Sequence, residues 1–416
     1  MAGKIRVLDA VNRTMQRLGF LKPLCALVNE TETSNLATLG KRLIERISKR
    51  IRLTTPVEEQ IRDYARVRMT DGIFRETRKT ILEGPPGVPV PLEVQDLYLA
   101  DPVLPSNTGR LVEANWRRYP NLGTSLDLIK KGTYSALTRS LVLLAVTPKE
   151  EIVGFPEYDP RHNPMRISDA QALVLLFCLL DNDAEVVFPL FRRILDLDAE
   201  SFDERVAGEL LADIFRQVVR EHEKRSLAVE ERDRLALLAK TATSIEQWKG
   251  KPYSGGGARE ESVRVRLEPF CDLGFFRKPT RERYEYESTE SLRTLLRLWE
   301  AAGDTEKFLQ EHFFATFAAC RKVSVRPATE DEATEALVKA GSALKSSLGF
   351  SPITDVAILA AVRLLTEKGL VLEIGRTTEL LKSLQKQDPG FVRFTVDRMG
   401  AMAHVKFLKA LSGAET

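Results

Sequence analysis

Two short stretches of this chain concentrate the side chains that could act on a partner. One holds Lys41, Arg42, Arg46, Lys49 and Arg50, and the other holds Arg259, Arg264 and Arg266. On a helix, positions three and four apart share a face, so the cations of the first stretch can neutralise successive phosphates, and an arginine-rich helix such as the second can also reach base edges in a major groove. The chemistry is recognition of an anionic polymer. Catalysis has no comparable pattern. The four histidines, His162, His222, His312 and His404, are scattered, and Glu221 and Glu223 flank His222 on other helix faces, so these rings read mostly as surface or cap residues. Gly255-Gly256-Gly257 lacks the Gly-Lys-Ser/Thr ending of a phosphate loop and follows no expected strand. Cys25, Cys178, Cys271 and Cys320 form no C-x-x-C pair, and Cys178 and Cys271 sit among apolar neighbours as small hydrophobes. The turn-rich residues 159–164 read as a structural loop rather than a ligand site. The expectation is a protein without enzymatic machinery, metal or cofactor.

Charge distribution points the same way as the arginines. The chain has 416 residues and a net charge of +3, which says little by itself. Residues 1–82, however, hold 17 basic side chains against 9 acidic ones, so the N-terminal fifth is a basic module and the rest is mildly acidic. Such asymmetry suits an acidic partner, either nucleic acid or an acidic face of another subunit. Hydrophobic residues make up 43% and charged residues 29%, a mixture that excludes a disordered or membrane-embedded chain. The first residues carry Lys4, Arg6 and Asp9 with no apolar leader run, so a cytoplasmic location and no membrane contact are expected.

The elements that must position these groups are helices. Leu36, Leu39, Leu43, Ile47 and Ile51 recur at spacings of three and four, predicting a basic amphipathic helix from 35 capped by Ser34, with a second helix over 57–81. The alternating prolines of 84–91 stop it, so 83–110 reads as a linker or extended arm. Residues 125–131, a turn at 132–134 and a helix over 135–145 form a helix-turn-helix candidate, with an ordinary helical hairpin as the plain alternative. Helices are expected over 168–180, 185–195, 202–223 and 229–242, where acidic residues suit scaffold. A helix over 258–273 turns Val263, Leu267 and Phe270 inward, then Phe275, Tyr284 and Tyr286 give the period-two signal of a ribbon, and Ser288 or Thr289 caps a helix over 290–302.

The phrase from Leu267 to Phe276, ending Leu273-Gly274-Phe275-Phe276, followed by a polar tip and a Tyr-rich return strand, resembles the winged-helix superfamily of DNA-binding modules over about 45 residues. That resemblance assigns a recognition-helix role to Arg259, Ser262, Arg264 and Arg266, and a wing role to Lys278, Arg281 and Arg283. Farther on, a helix over 358–365, a strand over 370–374, a helix over 378–387 and a hairpin of 391–396 with 403–407 are consistent with either a second winged module or a plain α+β dimerisation or docking domain.

The resulting expectation is a mainly α, multi-domain helical protein with winged-helix modules and small β-hairpin wings. The expected units are 1–82 basic helical module, 83–110 arm, 111–325 helical domain with the winged unit near 253–302, and 326–416. Its expected function is non-enzymatic binding of double-stranded DNA, as a regulator or sensing subunit of a prokaryotic genome-maintenance or antiviral defence complex. The rival is a structural adaptor that uses these modules, and the basic N-terminus, for protein contacts, in a larger complex or a homodimer; a metal-dependent nuclease is the third reading.

Overall fold

In the computed structural model the described residues are 5–8, five positions between 18 and 28, 118–130, 133–134, 136–144, 167–225, 227–247, 258–278, 285–396 and 402–408. They are mostly helical, with small groups of short strands. In chain order these are α1 (Arg118–Ser125), β1 (Ile129–Lys130), β2 (Thr133–Tyr134), α2 (Ala136–Leu143), α3 (Asp169–Leu195), β3 (Phe202–Asp203), α4 (Glu204–His222), α5 (Val229–Gln247) and α6 (Ala258–Asp272). They continue with β4 (Phe276–Arg277), β5 (Glu285–Ser288), α7 (Glu290–Ala302), α8 (Thr305–Glu311), α9 (Phe313–Cys320), β6 (Arg326–Pro327), α10 (Glu330–Leu344) and β7 (Ser351–Pro352). The last are α11 (Ile353–Lys368), β8 (Leu370–Val371), α12 (Ile374–Gln387), β9 (Val392–Val396) and β10 (Met402–Phe407). No helix among the described residues is long and apolar enough to cross a membrane.

One arrangement occurs twice. In α3–β3–α4–α5–α6–β4–β5 a two-residue strand pairs with the return strand of a later hairpin, giving the sheet order β3-β5-β4. In α10–β7–α11–β8–α12–β9–β10 the order is β7-β10-β9, the same plan with the short strand β8 where the first copy has its extra helix. All these pairings are antiparallel. Between the copies, α7, α8 and α9 lead to β6, which joins β8 in parallel.

The local signals explain where elements start and stop. Ser168 and Gln171 form a capping box at the head of α3, and Thr329 and Glu332 do so for α10. Helix α6 closes with Gly274 at φ 77°: the Phe275 amide reaches the Phe270 carbonyl and the Gly274 amide reaches that of Cys271. That left-handed closure favours glycine. Helix α9 closes the same way, Val323 to Ala318 and Lys322 to Ala319, but with a lysine at φ 56°.

Four expectations need correcting. Residues 125–145 are not helix-turn-helix: Ile129 pairs with Tyr134 and Lys130 with Thr133, so a hairpin separates α1 from α2. The helices expected over 168–180 and 185–195 are one, because Asn182 and Asp183 are buried polar residues with partners rather than a turn, and the helix runs through Pro189. Thr289 occupies the cap position of α7 without capping it; its hydroxyl donates to the Gly274 and Phe275 carbonyls instead. His222 is buried, not superficial, with Nε2 2.6 Å from Glu185 Oε2.

A continuous apolar core joins these elements. Phe188 stacks on Trp299 with centroids 4.3 Å apart, and Phe191 meets Phe270 and Phe276 edge-on, so α3 is the shaft around which the first copy is packed.

Candidate nucleic-acid interface

Arg264 and Arg266, expected to lie in a groove, instead point into the protein. From Ser262 to Phe270 every residue of α6 is buried. Arg264 grips the Glu204 carboxylate at the start of α4 with two nitrogens, Nη2 lying 2.7 Å from Oε1. Arg266 is wholly inaccessible, as is its partner Asp183 on α3: Nη2 donates to Asp183 Oδ1 at 3.0 Å, and Nε lies 2.8 Å from Oδ2. Its remaining donors reach the Ser262 and Leu8 carbonyls, and its guanidinium lies 5.1 Å from the Phe215 ring centre. Burial pushes the Asp183 carboxyl up to about 6, against the pull of Arg266 and of the Leu8 amide.

The recognition-helix assignment of Ser262, Arg264 and Arg266 is therefore overturned. A guanidinium that would leave an internal carboxylate to meet a phosphate gives up a buried pair, and breaking one costs about 3–5 kcal/mol. Lys278 is engaged as well: its ammonium lies 3.0 Å from Glu268 Oε1, which also accepts from the Tyr286 hydroxyl at 2.8 Å. Burial and the Glu268 charge hold that phenol well above its ordinary range. Arg259 lies in the first turn of α6, and its side chain is outside the described residues. Lys41, Arg42, Arg46, Lys49, Arg50, Arg281 and Arg283 are also outside them.

The second copy treats its third helix differently. Ile374, Thr377, Leu380 and Leu381 bury one face of α12, while Arg376, Glu379, Lys382, Ser383, Lys386 and Gln387 are not buried. This outward set recurs at three and four residues, so three cations share one solvent face with the Glu379 carboxylate and with the hydroxyl of Ser383 and the amide of Gln387. Beside it, Val392 and Val405 anchor the hairpin, which exposes Arg393 and His404; the Thr395 hydroxyl lies 3.1 Å from His404 Nδ1. The helix's first turn is pinned to the body. Glu373 accepts from the amides of Phe314 (3.2 Å) and Ala315 (2.9 Å) at the head of α9, and burial raises its carboxyl to about 7 despite those amides. Gly375 fits there because a Cβ would come within 3.3 Å of the Gln310 carbonyl oxygen.

Periodicity predicts the helix at 378–387 without marking a site on it. Lys382 and Lys386 one turn apart, opposite Leu380, Leu381 and Leu384, are the signal that could have done so. Elsewhere, a shallow pocket of about 420 Å³ lies at the β6–β8 junction, but its Arg326 is held by Glu332 through two hydrogen bonds of 2.7 and 2.9 Å. No group of three or more His, Cys, Asp or Glu side chains among the described residues could hold a metal ion. No protein-family model, curated protein or solved structure matches the chain.

Proposed function

We propose that the chain is a non-enzymatic binding protein for double-stranded DNA, and that the C-terminal copy, not the central one, presents the reading surface. The observation that carries this is the outward strip Arg376, Lys382 and Lys386 on α12, with Arg393 on the adjoining hairpin. The order helix, strand, helix, short strand, helix, hairpin with the return strand in the middle supports reading this unit as a winged-helix module, in which the third helix enters the groove and the wing flanks it. Ser383 and Gln387 supply donors and acceptors able to meet base edges, while the cations neutralise phosphates.

The test is duplex affinity as a function of salt. Lys382→Glu with Lys386→Glu is expected to weaken binding at least tenfold and to flatten the log–log salt slope by roughly 0.9 for each phosphate no longer neutralised. Unchanged affinity and slope in that double variant would reject the reading. The adaptor alternative keeps one specific support. The central copy has the helix before its hairpin, α6, sealed by ion pairs, which suits a scaffold whose remaining surfaces meet protein.

A further inference from the structure

Residues 5–8 lie against the central copy, with Ile5, Val7 and Leu8 all buried. The main chain of Arg6 and Leu8 finds its partners in the helical body. The Arg6 amide donates to Glu185 Oε1 at 3.2 Å, the Glu185 amide donates back to the Arg6 carbonyl at 3.2 Å, and the Leu8 amide donates to Asp183 Oδ1 at 2.9 Å. The Leu8 carbonyl accepts from Arg266 Nη2 at 3.3 Å. The Arg6 side chain, though nearly inaccessible, spans Asp181 on α3 and Glu306 on α8.

One donor in that set does not normally face outward. An amide within a helix points along the axis to the carbonyl four residues back, yet that of Glu185 bonds to a segment outside the helix. Pro189 sits four residues on and has no amide for the Glu185 carbonyl, although the helix continues through it. His222 orients the site from the other side. Its Nε2 meets Glu185 Oε2, so the second carboxylate oxygen, Oε1, is left for the Arg6 amide.

We propose that the turn of α3 at 181–185, with Arg266 and Glu306 beside it, is a docking cleft for an apolar–Arg–apolar–apolar segment, filled here by the chain's own residues 5–8. The cleft reads the main chain at two residues and selects arginine through two carboxylates, the logic by which strand-adding sites bind peptides, applied to a helix. It is independent of the surface on α12. By covering Arg266 and Asp183, the docked segment also completes the seal over α6.

The experiment is hydrogen exchange on the full chain. Arg6→Glu sets a carboxylate against Asp181 and Glu306, and the Arg6 and Leu8 amides are expected to exchange at least a hundredfold faster. A synthetic peptide of residues 1–12 added to that variant is expected to restore slow exchange in α6, while the same peptide carrying Arg6→Glu is not. Glu306→Lys, at a more exposed partner, is a second variant that leaves the core intact and is expected to speed the same amides about tenfold. Amides as protected in both variants as in the parent chain, or two peptides of equal effect, would overturn the proposal.

Discussion

Replacing Arg266 by methionine removes a guanidinium that is 0% exposed and leaves the equally inaccessible Asp183 carboxylate facing an apolar side chain of similar length. Two further acceptors, the Ser262 and Leu8 carbonyls, lose their donor. Breaking one partner of a buried pair costs about 3–5 kcal/mol, because the remaining charge must be protonated or drag water inward. Adding Asp183→Leu removes that charge, and with it the acceptor of the Leu8 amide, so the double variant is expected to lose no more than Arg266→Met alone, although each single variant leaves one buried charge unpaired. With each single costing about 3–5 kcal/mol, a double variant that loses no more than one of them corresponds to a coupling of at least about 3 kcal/mol between the two side chains. Guanidinium unfolding curves of the four proteins in the cycle measure it, and duplex affinity of the folded protein should not move in any of them. A single-variant loss below about 1 kcal/mol, or a double variant that loses the sum of the singles, would refute the account of Arg266 as a strut.

Acid should stabilise the fold through Glu373. Its carboxyl rises from 4.5 to about 7 in the folded chain, so the folded state keeps a proton that the unfolded chain has lost. This contribution is complete below about pH 4.5 and disappears as pH rises through 7, with a slope of at most about 1.4 kcal/mol per unit. Glu373→Gln should flatten that stretch of the stability–pH curve, measured against the parent, and an unaltered curve would exclude the assignment. Asp183, raised from 3.8 to about 6, acts with the same sign between those values. Lys322→Gly should raise stability by about 0.5–1 kcal/mol, since the residue closes α9 at φ 56° where a side chain is strained. Gly274→Ala, at φ 77° with Arg321 Nη1 only 3.1 Å from the new methyl, should lower stability by about 1 kcal/mol or more in the same denaturant assay.

What the sequence made legible follows from how local each signal is. The end of α6 is readable because a glycine after an apolar helix announces a left-handed closure, and the C-terminal hairpin because its alternation brackets a polar turn. The direction of Arg264 and Arg266 is not. Valines 263 and 265 interleave with them, so both faces of the helix carry apolar residues, and nothing near them in sequence marks them as internal. Their carboxylate partners, Asp183 and Glu204, stand in helices that look like ordinary acidic scaffold. A charged side chain is assigned to water unless its counter-ion is in view, and here the counter-ion arrives only through tertiary packing. The hairpin at 129–134 escapes for the opposite reason: strands of two residues are too short to impose a period.

Helix α3, at 27 residues, is roughly 40 Å long. It packs against α4 of the central copy and also against α11 of the C-terminal one. A displacement of α11 is consequently carried along a single stiff beam toward the turn at 181–185 where residues 5–8 are seated. Residues 5–8 and the C-terminal copy are thereby braced on the same helix.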